Sequence, residues 1–110
     1  MTTSNYIPKD PVVIECNIEK AVDVLSGKWA FLVLRELFCG TKRFGELQRC
    51  IPAVSPRALT STLRHLEENG ILERHVYATV PATVEYKLTP KGEDLHQTLH
   101  AMKLWAAKWT

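Results

Sequence analysis

Apolar positions recur with a helical period through the first two thirds of the chain, switch to alternation, and then return to the helical period. Ile18, Ala21, Val22 and Leu25 form one stripe, with Asn17 placed to cap it and Gly27 to end it. Lys28 to Phe38 is apolar around most of its circumference (Trp29, Phe31, Leu32, Val33, Leu34, Leu37, Phe38), which predicts a helix through the middle of the fold. Gly40 stops it. Phe44, Leu47 and Ile51 mark a shorter amphipathic helix closed by Pro52. Ser55 then opens another helix as its N-cap. Pro56 takes the first position, where its missing N–H costs nothing, and Leu59, Leu63 and Leu66 point inward at i, i+4, i+7. Gly70 suits the end of that helix. Beyond it, Val84, Tyr86 and Leu88 alternate with Glu85 and Lys87, the mark of a half-buried strand, and Ile71 to Tyr77 is its predicted partner. Pro81 between them belongs at a hairpin tip. Thr89-Pro90 repeats the cap-plus-proline opening, and Leu95, Leu99, Met102, Ala106 and Trp109 run along a last helix. Before Val12 nothing is periodic, and Pro8 and Pro11 predict an extended arm over residues 1–15.

The order is helix, helix, helix-turn-helix, hairpin, helix. That is a mainly α fold with a small β-hairpin, a winged helix-turn-helix domain over 16–110 with one helix before its core and one after. A length of 110 residues allows one domain, and the 45% hydrophobic content is that of an ordinary globular chain. The longest apolar run, Trp29 to Leu34, is far short of the ~20 residues of a membrane span, and the amino terminus does not read as a signal peptide. Cys16, Cys39 and Cys50 form no C-x-x-C pair, and an odd count argues against a disulfide framework, so the cytoplasm is the expected compartment.

Charge alone decides little: the formal net value is +2. Its placement says more. Between Arg43 and His75 stand five Arg and four Glu, and from Ser55 to Leu66 there is no acid at all. At 100° per residue Arg57, Ser61 and Arg64 fall opposite the leucines, with His65 beside them. Such a face suits the major groove, where Arg bonds guanine edges and phosphates and Ser or Thr can bond either. Ser55, Arg57, Thr60, Ser61, Thr62, Arg64 and His65 are the candidate DNA contacts, Ser55 chiefly as a cap. Arg43 and Arg74 are candidates for phosphate at the edges, or equally for ion pairs with Glu46 and Glu73. The final helix adds Leu104 and Trp105 to its stripe, more apolar surface than an appended helix needs, which predicts a two-fold dimer. His96 and His100 at i, i+4 lack a third ligand, so no metal is assigned. No P-loop, G-x-S-x-G or H-E-x-x-H motif points to an enzyme or to a cofactor.

The chain resembles the HxlR-type bacterial transcriptional regulators, winged-helix relatives of the MarR group. The resemblance runs from Cys16 to Trp109. It rests on Cys16, Gly27-Lys28-Trp29, Leu34-Arg35-Glu36-Leu37, Arg43-Phe44-x-Glu46-Leu47 and Ile51-Pro52-x-Val54-Ser55-Pro56-Arg57. Leu63-Arg64-x-Leu66-Glu67-x-x-Gly70, Val76-Tyr77, Val80-Pro81, Val84-Glu85-Tyr86-x-Leu88-Thr89-Pro90-x-Gly92 and Trp105 complete it. It implies a homodimer on an inverted-repeat DNA operator, with the Ser55 helix in the major groove. Dimer contacts would come from the first and last helices, here Ile18, Val22, Leu99, Met102, Trp105 and Trp109. It also implies a response to a small oxidant or electrophile through Cys16, for which a position just before a helix N-terminus would lower the thiol pKa. On its residues alone Cys16 reads rather as a small buried apolar group, and only the resemblance sets the sensor role level with that. Cys50 is expected to pack and Cys39 to be exposed. The chain departs from the pattern at Asn17, where the family has proline, and at Ala82-Thr83, where it has Pro-Arg, so no cationic wing tip carries over. A winged-helix module that binds protein rather than DNA is the alternative.

Overall fold

The computed structural model describes residues 11–25 and 27–110, with side chains from Asn17 onward. The elements follow in the order α1 (Pro11–Val24), α2 (Lys28–Phe38), β1 (Lys42–Arg43), α3 (Phe44–Cys50), α4 (Pro56–Glu68), β2 (Leu72–Tyr77), β3 (Thr83–Leu88) and α5 (Pro90–Trp109). This is the expected helical fold with its small sheet. The structure departs from expectation at three points, the first being the cap: Asn17 lies inside α1 rather than at its start. The extended arm does not reach residue 15, because the chain is helical from Pro11; residues 1–10 lie outside the described residues. Proline breaks a helix in its interior, yet at the first helical position it is tolerated, for the reason that admits Pro56 and Pro90. The two-residue strand β1 is an addition to the expected elements, since periodicity has no purchase on so short a segment.

The sheet is antiparallel in the order β1-β3-β2. In it Leu72 stands opposite Leu88, Arg74 opposite Tyr86 and Arg43 opposite Glu85. One core ties sheet and helices together. Ala30, Val33, Leu34 and Leu37 of α2 meet Leu47 of α3, Leu59, Leu63 and Leu66 of α4, and Ile71, Leu72, Tyr86 and Leu88 from the sheet region, all buried. Removing these side chains from water is the main stabilising term. The free ends of the wing lie outside it: from Glu73 to Ala82 every residue is exposed.

The junction of α4, β2 and α5 fixes the wing's root. Gly70 has φ 72°, a left-handed conformation that glycine adopts without steric cost. Its N–H donates to the Glu67 carbonyl (3.0 Å) and the Ile71 N–H to the Leu66 carbonyl (2.9 Å), the paired bonds of a Schellman ending. The Lys91 ammonium adds a 2.7 Å bond to the Asn69 carbonyl. Thr89 starts α5 on the same spot. Its hydroxyl accepts from the Gly92 N–H (3.1 Å) and donates to the Gly70 carbonyl, while its own N–H donates to the Ile71 carbonyl (3.0 Å). Buried Gly92 lets this happen: a Cβ there would lie 2.1 Å from the Ile71 carbonyl oxygen.

Candidate nucleic-acid interface

Three buried leucines decide how α4 presents its other side. Leu59, Leu63 and Leu66 are at most 2% exposed, so the opposite edge must face water. The Ser55 hydroxyl accepts from the Ala58 N–H at 3.1 Å, and Pro56 follows at the first position, so the start of the helix is defined. Arg57, Thr60, Ser61 and Arg64 are all exposed and, with Pro56, line one shallow hollow. A second hollow adjoins it where the wing root meets the helix, lined by Thr60, Leu63, Arg64, Glu67, Arg74 and Tyr86. Among the described residues, Arg57, Arg64 and Arg74 have no carboxylate within 4.0 Å. Three guanidinium groups thus face outward around a hydroxyl-bearing helix edge, an arrangement with the chemistry to bind phosphate and base edges.

The other candidates are turned to different tasks. Thr62, half-buried, donates its hydroxyl to the Ala58 carbonyl of its own helix at 2.8 Å. His65 is also half-buried, its Nε2 2.6 Å from the Asp23 carbonyl of α1. Arg43 stands on β1, where its Nε lies 3.9 Å from Glu85 rather than near Glu46. The Glu46 carboxylate accepts instead from the Arg43 backbone N–H at 2.8 Å, closing the start of α3. Glu73 is held by His75 at 3.0 Å, so the alternative pairing of Arg74 with Glu73 is not formed. Arg74 beside Arg64 depends on the β2–β3 register and on the packing of the wing against α4, a long-range fact that no local pattern carries.

Two of the thiols lie elsewhere than expected. Cys16 is not in front of a helix. It is the sixth residue of α1, beyond the first-turn N–H groups that carry the positive end, so the helix-start argument for a lowered pKa does not apply. Its side chain lies outside the described residues. Cys50, expected to pack, is an exposed thiol at the end of α3; local desolvation and then the hydrogen-bonding Glu36 carboxylate push its pKa up, which disfavours the reactive thiolate. Cys39 is exposed as expected.

The apolar stripe of α5 divides in two. Leu95 and Leu99 are half-buried against the domain's own core, so Leu99 is occupied within the protomer. Met102, Leu104, Trp105 and Trp109 stand exposed, the two tryptophans by 65% and 66%. Ile18 and Val22 on α1 are exposed to a similar degree, 60% and 62%. No helix among the described residues is long and apolar enough to cross a membrane, and none of their His, Cys, Asp and Glu side chains group to hold a metal.

A leucine-anchored helix with a cationic outer edge, a hairpin beside it and helices at both ends defines the class of winged helix-turn-helix transcriptional regulators, with a MarR-like fold. The family model described as HxlR-like helix-turn-helix matches residues 24–110, and the chain belongs to that family. Its relatives are HTH-type transcriptional regulators. One, the uncharacterized regulator sll1512 of Synechocystis sp., is 42% identical over 109 residues, covering 99% of this chain and 81% of its own. Among solved structures, the redox regulator HypR in its reduced form superposes with a TM-score of 0.80 at 40% identity, over 84% of this chain and 91% of that one. The reduced form of the regulator YodB from Bacillus subtilis gives 0.77 at 36% identity, again over 84% and 91%. HypR has also been solved oxidised, and YodB diamide-treated and quinone-bound.

Proposed function

We propose that this transcriptional regulator binds an inverted-repeat DNA operator as a homodimer. The observation that carries the reading is the outward edge of Arg57, Thr60, Ser61 and Arg64 on a helix fixed by three buried leucines. Ser55 acts as the cap that sets its start, and Arg74 supplies a phosphate contact from the wing root. The dimer is supported by the exposed Ile18, Val22, Met102, Trp105 and Trp109, too much large apolar surface for a solitary protomer. The radius of gyration points the same way: 16.9 Å, against about 13 Å for a compact chain of this length. Two recognition helices related by a two-fold axis would meet half-sites about 34 Å apart, or a multiple of it. As a regulator of genes the chain acts in the cytoplasm, on the chromosome.

Footprinting of bound genomic fragments tests this directly. The expected result is an inverted repeat whose binding weakens by orders of magnitude between roughly 50 and 200 mM salt, because Arg and Lys displace phosphate counterions. The protein-binding alternative, suggested by an uncharged wing tip where Val80 is fully exposed, predicts no duplex binding at any salt concentration.

The redox forms of HypR and the quinone-bound YodB support a response to a small oxidant or electrophile, for which Cys16 is the proposed thiol. Its place on α1, the helix that carries Ile18 and Val22, lets its modification reach the dimer contact as a rigid-body shift. In gel shifts with and without diamide, wild type and Cys39→Ser are expected to respond and Cys16→Ser to be inert. Equal responses from wild type and Cys16→Ser would remove Cys16 from the role.

A further inference from the structure

His65 ties together two elements that otherwise scarcely touch. Its Nε2 lies 2.6 Å from the Asp23 carbonyl oxygen, and since a carbonyl only accepts, that ring nitrogen carries the proton. Asp23 is in the last turn of α1, where the final carbonyls have no partner within their own helix. The recognition helix therefore supplies a cap to α1 from outside. Among the described residues, little else holds α1. No residue of α1 with a described side chain is buried, and Val24 with the adjacent Leu25 are the residues there that pack against the core. Residues 17–23 are exposed.

On α4 the position of His65 is equally telling. It follows Arg64 directly and stands one turn after Ser61, on a helix held to the core by Leu59, Leu63 and Leu66. We infer that His65 is a positioning residue that sets the angle between α1 and the recognition helix, so that a displacement of α1 is passed to Arg57, Ser61 and Arg64. The inference rests on the operator-binding reading for its consequence, although the fastening itself does not. In a dimer joined through Ile18 and Val22, the α1–α4 angle governs how far apart the two recognition helices stand. His65 is thereby a determinant of half-site spacing without touching a base.

The test uses the full chain with His65→Leu, which keeps bulk and removes the donor, and His65→Gln, whose amide N–H₂ replaces the Nε2 donor. Without DNA, hydrogen exchange in α1 is expected to rise about fivefold or more in His65→Leu, the usual net worth of one hydrogen bond. Exchange in α4 stays unchanged, and His65→Gln restores protection. On DNA, His65→Leu is expected to lose about fivefold on the native spacing and to bind operators lengthened or shortened by one base pair nearly as well. Affinity for a single half-site is unaltered. Unchanged α1 exchange overturns the fastening. Parallel weakening on half-site and full operator, with spacing preference intact, overturns the positioning role in favour of direct contact. If wild type binds no duplex, the operator reading fails, and the exchange comparison still decides the fastening. Should His65→Leu fail to fold, His65→Asn, with an amide too short to span the gap, provides the donor-deficient form.

Discussion

Arg57→Ala is expected to weaken binding to the chain's own operator by about 1–3 kcal/mol and to flatten discrimination at one base pair in each half-site. The size follows from where the residue sits. Arg57 is in the first turn of α4, the part of a recognition helix that approaches base edges, and its guanidinium has no carboxylate among the described residues to hold it back. A planar, five-donor group there can bond a guanine bidentately, which no rotamer of Ser or Thr reproduces. Arg74→Ala should behave differently. On the wing root it addresses phosphate, so its loss should weaken all sequences alike and reduce the salt slope by about one. Anisotropy titrations on the operator, on single-base variants and at several salt concentrations separate the two. Unaltered base preference in Arg57→Ala would exclude it from the reading set.

The largest effect on stability is expected from Gly92→Ala, a loss of about 3 kcal/mol in urea unfolding. The added methyl would sit 2.1 Å from the Ile71 carbonyl oxygen and 3.0 Å from Leu88 Cδ2. The first neighbour is backbone, and its carbonyl is already engaged by the Thr89 N–H. It cannot rotate aside as a side chain would, so α5 must lift off the α4–β2 junction, a steep form of overpacking. For a domain of this size the melting temperature should fall by roughly 10 °C or more. Gly45→Ala is the control, since a methyl there meets only the Arg49 guanidinium, at 3.8 Å. Equal stability of the two variants would show that the junction yields more readily than its bonding suggests.

Much of this architecture is legible because local and long-range preferences agree. Leu59, Leu63 and Leu66 at helical spacing, framed by Ser55-Pro56 and Gly70, place α4 and its outward arginines before any packing is known. Gly27 and Gly40 likewise bound α2. Failures occur where one residue type has two meanings. Pro11 reads as a breaker or as a first helical residue, and the choice moves Cys16 from in front of a helix into its second turn. Thr62 and His65 share a helix with the exposed arginines but point about 140° and 80° away from Arg57 at 100° per residue; Thr62 turns back on the Ala58 carbonyl of its own helix, and His65 meets Asp23, a neighbour that only the tertiary structure supplies. The role of Gly92 was similarly hidden, since in sequence it is an ordinary glycine near the start of a helix and its necessity comes from the Ile71 backbone.

The strand order has a consequence for how the protein behaves in a crowded cell. Because β3 is the middle strand, β2 keeps one side unpaired from Leu72 to Tyr77 among the described residues, a rim able to template another chain. Glu73, Arg74 and His75 run in succession along it. A second copy laid edge to edge would have to bring these charges into register and strip their water. The same short run that presents a guanidinium beside the recognition helix therefore also guards the hairpin against fibrous stacking.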